Sequence, residues 1–208
     1  MQAITFRCLE LFILFIGIPV SFVLGFPFWI KTIIGLVGFV YVVYVLLRIE
    51  KNRFKISKSL NWMQFWKRTF LKLIGIAVIT MLYVWVFDSS NLFHVVINKP
   101  LLWGLILVAY SLFSVYPQEL IYRLFFFQRY KMLFQNEALF LFFNATLFSL
   151  AHLFFRNALV MLITFLGGLL FALTYKKTKS TLLVTIEHAI YGCWLFTVGM
   201  GEMLGFPH

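Results

Sequence analysis

The sequence predicts an all-α fold, a polytopic bundle of about seven transmembrane helices. Of its 208 residues, 62% are hydrophobic and only 12% are charged, whereas soluble domains are about half apolar and about a quarter charged. A soluble protein of this composition would expose apolar patches far larger than monomers tolerate. The apolar residues also fall into runs of about 20, the length that crosses the hydrocarbon core of a bilayer. Lipid is therefore the solvent that fits this chain.

The apolar runs define the predicted spans and the polar segments between them. The spans cover residues 9–26, 27–47, 69–87, 100–134, 138–155, 158–175 and 181–204. The fourth span is interrupted at Pro117 and then continues as an apolar helix. A basic loop over 48–68 contains a Trp-rich stretch, 59–66, of the kind found at membrane interfaces. The whole chain, 1–208, is predicted to form one integral membrane domain.

The distribution of basic residues predicts the partner and the orientation. A net charge of +11 could indicate nucleic-acid binding, but the basic residues lie in short loops between apolar runs, as the positive-inside rule places them. We therefore exclude nucleic acid and expect the bilayer as partner. Loops 48–68 and 176–179 are predicted to be cytoplasmic, and four crossings between them return the chain to the same side. The N-terminus is then inside and the C-terminus outside.

Ionisable residues inside the predicted spans indicate a functional site, because a charge in a membrane is costly and is usually retained for a purpose. They are Glu119, Arg123, His152, Glu187 and His188. Charges nearer the span ends can extend to the interface; these are Lys31, Lys72 and Glu202.

The pair of Glu119 and Arg123 lies four residues apart, which places both side chains on one face of a helix. Arg123 can therefore keep Glu119 charged and oriented, and a purely structural ion pair is the alternative. His152 and His188 come from two further spans, and Gly192, one turn after His188, is expected to leave space beside the imidazole. One carboxylate and two imidazoles form a general acid/base set, and they also have the composition of a zinc site. Both interpretations indicate water attacking an acyl carbon.

Three segments of the second half resemble the motifs of the CAAX protease and bacteriocin-processing family, also called the Abi family. QELIYR (118–123) resembles Glu-Glu-x-x-x-Arg, FSLAH (148–152) resembles Phe-x-x-x-His, and HAIYG (188–192) resembles His-x-x-x-Asn. Their order and spacing also fit. The motifs fall within 100–208, whereas 1–99 carries none.

The resemblance implies an all-helical intramembrane peptidase in which a glutamate and the first histidine activate water. The second histidine and the asparagine support the oxyanion. Two positions depart from the pattern: Gln118 replaces the first glutamate and Gly192 replaces the asparagine. Gln has no titratable carboxylate, so Glu119 is predicted to act as the base. The predicted catalytic residues are Glu119, His152, His188, Arg123 and Gln118.

The leading hypothesis is a glutamate-type intramembrane endopeptidase without a cofactor, acting on a membrane-associated protein or peptide. If zinc were bound instead, its ligands would be Glu119, His152 and His188. A different class of function is a catalytically silent membrane protein, a bacteriocin-immunity factor or scaffold, that has kept the family's fold. A small transporter is less favoured, because the sequence shows no inverted repeat. A bacterial inner membrane is the expected location, since the chain is short and shows no targeting signal.

Overall fold

The computed structural model describes residues 2–52 and 61–205, and within these ranges the regular elements are helices without any β-strand. Seven helices of the described chain are long and apolar enough to cross a membrane, which confirms the predicted all-α polytopic fold. We label them in chain order: α1 Ile4–Val23, α2 Phe28–Ile49, α3 Trp62–Phe87, α4 Pro100–Leu133, α5 Glu137–Phe155, α6 Ala158–Thr178 and α7 Thr181–Val198. Residues 53–60 lie outside the described chain, and with them most of the basic residues of the predicted loop and the start of the stretch 59–66.

Side-chain caps explain where several helices begin. A polar residue before the helix accepts a hydrogen bond from a backbone N–H of the first turn, which would otherwise lack a partner. The caps of α3, α5, α6 and α7 are Asn61, Asn136, Asn157 and Ser180. Pro100 opens α4 at a position where its missing N–H carries no cost.

Two of the predicted boundaries were wrong for local reasons. Helix α3 begins at Trp62, seven residues before the predicted start. Asn61 caps it, and the polar residues of its first turns can lie at the end of a transmembrane helix. Helix α7 ends at Val198, before the predicted residue 204, because Gly199 adopts a left-handed φ of 111°. A Cβ at Gly199 would also overlap the backbone carbonyl of Asn91, so only glycine fits this helix end.

The predicted interruption at Pro117 was wrong as well. Proline cannot donate to the carbonyl four residues earlier, yet α4 remains one helix of 34 residues. The turns before Pro117 are π-helical over Tyr110–Val115, and the Tyr116 N–H donates to the Ser111 carbonyl five residues back. A π-helical segment changes the pairing of backbone groups around a residue that cannot complete the α-helical pattern. Glu119 is therefore the twentieth residue of a long helix and lies near its middle.

The described chain divides into two compact units. The first combines Met1–Lys55 with Gln118–Lys177, and the second combines Ile56–Pro117 with Thr178–His208. Whether they act as the single membrane domain expected from the sequence stays a prediction.

The first unit has an aromatic core around Phe15 of α1. The Phe15 ring is fully buried and packs edge-on against Tyr122 at 5.2 Å and Phe126 at 5.2 Å between ring centroids. Edge-to-face pairs of this kind stabilise a core beyond the area that they bury. The segment of α4 that carries the first motif is thereby anchored against α1.

An ion-pair cluster links three helix ends of the first unit. Arg129, near the end of α4, donates to Glu10 of α1 at 2.9 Å and to Glu50, just after α2, at 2.9 Å. Both Glu10 and Arg129 are buried. Burial is tolerated because each charge has an opposite partner.

The helix ends that meet in the first unit agree with alternating crossings. The cluster joins the start of α1 with the ends of α2 and α4. Arg156, after α5, donates to the Val23 carbonyl at the end of α1 at 3.0 Å. Lys176, near the end of α6, pairs with Glu137 at the start of α5 at 2.8 Å. Each contact joins ends that an up-and-down path places on the same side. Which side is cytoplasmic stays a prediction.

The second unit packs α3 and α7 with the first half of α4. Two indole N–H groups are satisfied across these helices: Trp194 donates to Thr80 at 2.9 Å and Trp103 donates to Thr197 at 3.0 Å. Both indoles are half-buried, and an indole N–H withdrawn from water needs an acceptor, so these bonds fix the facing sides of the helices. The second unit thus positions the end of the chain that carries the last motif.

Candidate active site

The first motif lies at a change of helical geometry in α4. Glu119 ends a short α-helical turn, Tyr116–Glu119, that separates two π-helical segments, Tyr110–Val115 and Leu120–Phe125. Such segments occur frequently at functional sites, because they redirect side chains within a helix. Glu119 is fully buried, whereas the neighbouring Gln118 is half-buried.

The predicted pairing of Glu119 with Arg123 is present in the structure. Nε of Arg123 lies 3.4 Å from Oε2 of Glu119, and both side chains are fully buried. Two buried charges of opposite sign compensate each other. Either charge alone would be strongly unfavourable in a low-dielectric interior.

The other nitrogens of Arg123 are held by α5 and α6. Nη1 donates to Oδ1 of Asn144 at 2.7 Å, and Nη2 donates to the Gly168 carbonyl at 3.2 Å. Asn144 in turn donates to the Tyr122 carbonyl at 2.8 Å. The guanidinium is planar and rigid, so these bonds fix the direction from which it faces Glu119. Arg123 is thus a positioning residue for the carboxylate.

The second motif reaches Arg123 through the ring of Phe148. The Arg123 guanidinium lies over this ring at 5.0 Å from its centroid, a cation–π distance. The imidazole of His152 packs against the same ring, with centroids 4.9 Å apart. Phe148 and His152 are one helical turn apart in sequence, so the spacing places both rings on the side that faces Arg123. Within the first unit, Arg123 therefore contacts both Glu119 and the Phe148 ring, and that ring contacts His152.

The orientation of the His152 ring assigns its tautomer. His152 lies in the turn after the α-helical part of α5, which ends at Leu150. Its Nδ1 is 2.8 Å from the Phe148 carbonyl oxygen. A carbonyl oxygen only accepts, so we place the proton on Nδ1, and the neutral ring then presents its lone pair at Nε2. A lone pair at Nε2 can accept a proton or a hydrogen bond.

The third motif lies in the second unit, where His188 contacts Tyr110. His188 is buried in α7, and its Nε2 is 3.1 Å from the Tyr110 hydroxyl. The space that Gly192 was expected to leave beside the imidazole is filled by the Tyr110 phenol. A Cβ added at Gly192 would overlap the Tyr110 hydroxyl, because the phenol already fills that space.

Glu187 forms a separate polar cluster on α7. It is fully buried, pairs with Lys72 of α3, and accepts from the Tyr191 hydroxyl at 2.9 Å. Lys72 was expected to extend to the membrane interface, and the structure adds that its ammonium pairs with Glu187. Lys72 is the eleventh residue of α3, about 15 Å from its start at 1.5 Å per residue. The buried carboxylate of Glu187 is a partner for its charge.

The sequence did not single out three residues that this geometry makes important: Asn144, Lys72 as an ion-pair partner, and Tyr110. Asn144 gave a usable signal, since a carboxamide in the middle of an apolar run indicates an internal partner. Tyr110 gave none, because tyrosine is common in membrane helices. Within each unit, the described residues contain no group of three or more His, Cys, Asp or Glu side chains placed to hold a metal ion.

Comparison with known families agrees with the motif assignment. Residues 100–194 match the family described as type II CAAX prenyl endopeptidase, Rce1-like. This region, a little under half of the chain, is similar to the CAAX protease family. The match contains all three motifs and confirms the family resemblance. No curated protein and no solved structure matches the chain significantly. The chain is thus a CAAX-protease-like, multi-pass integral membrane protein, and the family match covers the region that begins with α4.

Proposed function

We propose that this protein is an intramembrane endopeptidase that hydrolyses a peptide bond in a membrane-associated protein or peptide. The match of residues 100–194 to the type II CAAX prenyl endopeptidase family supports the substrate class. One observation carries the proposal beyond the family: Glu119 is a fully buried carboxylate whose partner, Arg123, is itself held by Asn144 and Gly168. A general base must be charged and oriented toward the water that it activates, and this clamp favours both.

The proposed reaction starts with a water molecule beside Glu119 and His152. The carboxylate of Glu119 takes a proton from the water while the water oxygen forms a bond to the carbonyl carbon. The electron pair of the C=O double bond moves onto the carbonyl oxygen. When the C–N bond breaks, the proton passes from Glu119 to the leaving nitrogen and the carbonyl re-forms. His152, with its lone pair at Nε2, hydrogen-bonds the same water and orients it.

The remaining motif residues take supporting roles in this proposal. His188 is assigned to the oxyanion by the family motif. Gln118 is half-buried and lies next to the base in sequence; its carboxamide can orient water or substrate but cannot take a proton. The proposal therefore assigns proton transfer to Glu119 and not to the residue at the family's first acidic position.

The test compares Glu119→Gln with wild type in purified membranes. The probes are a prenylated peptide with a C-terminal CAAX sequence and, separately, mass spectrometry of the new protein termini that expression generates. Loss of a general base reduces the rate by roughly 10²–10⁴-fold, so cleavage by Glu119→Gln should fall by that factor. Both His152→Ala and His188→Ala should also lose cleavage, Gln118→Ala should lose less, and Gln118→Glu should keep or raise it.

The matched control is Glu137→Gln. It makes the same chemical change at a half-exposed carboxylate that pairs with Lys176, where a surface ion pair contributes little. Its cleavage rate should equal that of wild type. If Glu119→Gln, folded and equally expressed, cleaves at the wild-type rate, Glu119 is a structural partner of Arg123, and the catalytically silent alternative replaces this proposal.

A further inference from the structure

Two basic side chains from different parts of the first unit converge on the end of α1. Nζ of Lys31, in the first turn of α2, donates to the Phe22 carbonyl at 2.7 Å. Nη2 of Arg156, just after α5, donates to the Val23 carbonyl at 3.0 Å. Phe22 and Val23 are consecutive residues, so the two positive charges are held close to each other.

No acidic side chain compensates these charges. The acidic residues in the sequence of the first unit are Glu10, Glu50, Glu119 and Glu137. Three of them lie at the opposite helix ends, at the start of α1, just after α2 and at the start of α5, and the fourth lies near the middle of α4. Among the residues that the structure describes, neither Lys31 nor Arg156 forms an ion pair. This end of the unit is therefore positively charged.

The contacts with α1 leave donors on both cations. Basic side chains commonly bond to the free carbonyls of a helix end, and this accounts for one donor of each group. An ammonium has three donors and a guanidinium has five. Arg156 is exposed and Lys31 is half-buried, so a ligand can approach them from outside the unit. Two adjacent cations favour a phosphate, because it offers several acceptor oxygens and its charge relieves their repulsion.

The length of α1 places the pair at the level of the lipid headgroups. Helix α1 has 20 residues, and at 1.5 Å per residue it is about 30 Å long, the thickness of the hydrocarbon core. Its last residue, Val23, therefore lies where the hydrocarbon ends and the phosphates begin. Lys31 was expected to extend to the interface, and its bond to Phe22 directs its ammonium toward that level.

Exposed aromatic residues accompany the two cations in the chain. They are Phe26, Phe28, Trp29 and Phe154. Tryptophan is typical of the membrane interface, and apolar rings at this depth can contact acyl chains, which a free anion does not have. We propose that Lys31 and Arg156 bind the phosphate of an acidic phospholipid whose acyl chains pack against these aromatic residues. This site does not depend on the proposed peptidase activity.

The test is native mass spectrometry of the detergent-purified protein, titrated with phosphatidylglycerol or with phosphatidylcholine of the same acyl chains. Wild type should retain phosphatidylglycerol at lower lipid concentrations, because only that lipid has a net negative charge. Lys31→Gln and Arg156→Gln keep an amide donor for the α1 carbonyls but remove the charge. Each should weaken phosphatidylglycerol binding about fivefold, and the double variant roughly 25-fold. Phosphatidylcholine binding should not change.

The matched control is Lys131→Gln/Lys177→Gln, which removes two charges from exposed lysines at the opposite helix ends of the same unit. Its affinity for phosphatidylglycerol should equal that of wild type. The exchange Lys31→Arg/Arg156→Lys keeps both charges and should also bind like wild type.

Four results would overturn the proposal. Equal binding of the two lipids by wild type would do so without any variant. Wild-type affinity in the Lys31→Gln/Arg156→Gln variant would place the lipid elsewhere, and an equal loss in the lysine control would mean that net charge alone holds it. If inorganic phosphate displaces phosphatidylglycerol at equal concentration, the pair binds a free anion, and the lipid assignment is wrong.

Discussion

Arg123 donates a hydrogen bond of 2.7 Å to the side-chain oxygen of Asn144, and Asn144 donates back to the carbonyl of Tyr122, the residue before Arg123. This reciprocal pair ties α5 to the first-motif segment of α4. It also places an uncharged acceptor on the guanidinium, so that the face carrying Nε remains directed at Glu119. The orientation of the proposed base thus depends on a residue outside all three motifs.

Asn144→Leu should destabilise the protein and reduce cleavage. The substitution removes an acceptor from a buried charged donor, and a buried polar group left without its partner costs about 1–3 kcal/mol. We expect a lower melting temperature in detergent and a lower kcat, because Arg123 is no longer held against Glu119. Thr146→Val is the control: Thr146 is an exposed residue of the same helix that bonds only locally to the Phe142 carbonyl. Equal melting temperatures for Asn144→Leu and wild type would contradict the positioning role.

Lys72→Met should destabilise the protein more than the double variant Lys72→Met/Glu187→Gln. The single change leaves the buried Glu187 without its cation, which costs about 3–5 kcal/mol for a fully buried pair. The Lys72 side chain is 30% exposed, so the loss should fall below that range. The double variant removes both charges and retains an amide oxygen that can accept from Tyr191. Thermal unfolding in detergent measures the order of stabilities.

The control for this pair is Lys176→Met, which breaks the half-exposed ion pair with Glu137 and should shift the melting temperature little. If Lys72→Met is as stable as Lys176→Met, the Lys72–Glu187 contact contributes nothing to folding. The interface-seeking behaviour expected of Lys72 from the sequence would then be the better description.

Reporter fusions should place both basic loops in the cytoplasm. Fusions after Lys58 and after Lys179 should report cytoplasmic locations, and a fusion after Ser90 should report an external one, because basic loops are retained inside. Alkaline phosphatase and green fluorescent protein reporters, which are active on opposite sides of a bacterial inner membrane, make the measurement. Opposite locations for Lys58 and Lys179 would mean an odd number of crossings between them and would refute the orientation.

Detergent-purified protein is expected to hold no stoichiometric zinc, and its cleavage activity should survive chelators. The reason is the glutamate-type chemistry proposed for Glu119 and His152, which needs an oriented carboxylate and an imidazole but no Lewis acid. Elemental analysis and a chelator titration make the measurement. Near-stoichiometric zinc that disappears in His152→Ala would instead favour the alternative in which Glu119, His152 and His188 are metal ligands.

Much of the fold and part of the site could be predicted from the sequence, because these features are local. A run of about 20 apolar residues identifies a span wherever it occurs in the chain, and Glu119 with Arg123 form a pair because four residues separate them on a helix. The errors arose where a local rule met a tertiary compensation. Pro117 was expected to interrupt α4, but π-helical turns accommodate it.

By itself, the sequence determined the membrane environment, the number of spans and the order of the three motifs, since length, hydropathy and residue spacing carry that information. Only the tertiary structure decided the partners of the polar side chains. Asn144 lies 21 residues from Arg123, Tyr110 lies 78 from His188, and Lys72 lies 115 from Glu187. Such pairs depend on which faces of different helices pack together, and packing is set by the shapes of the apolar side chains around them. The phenol in the space left by Gly192 is a product of that packing.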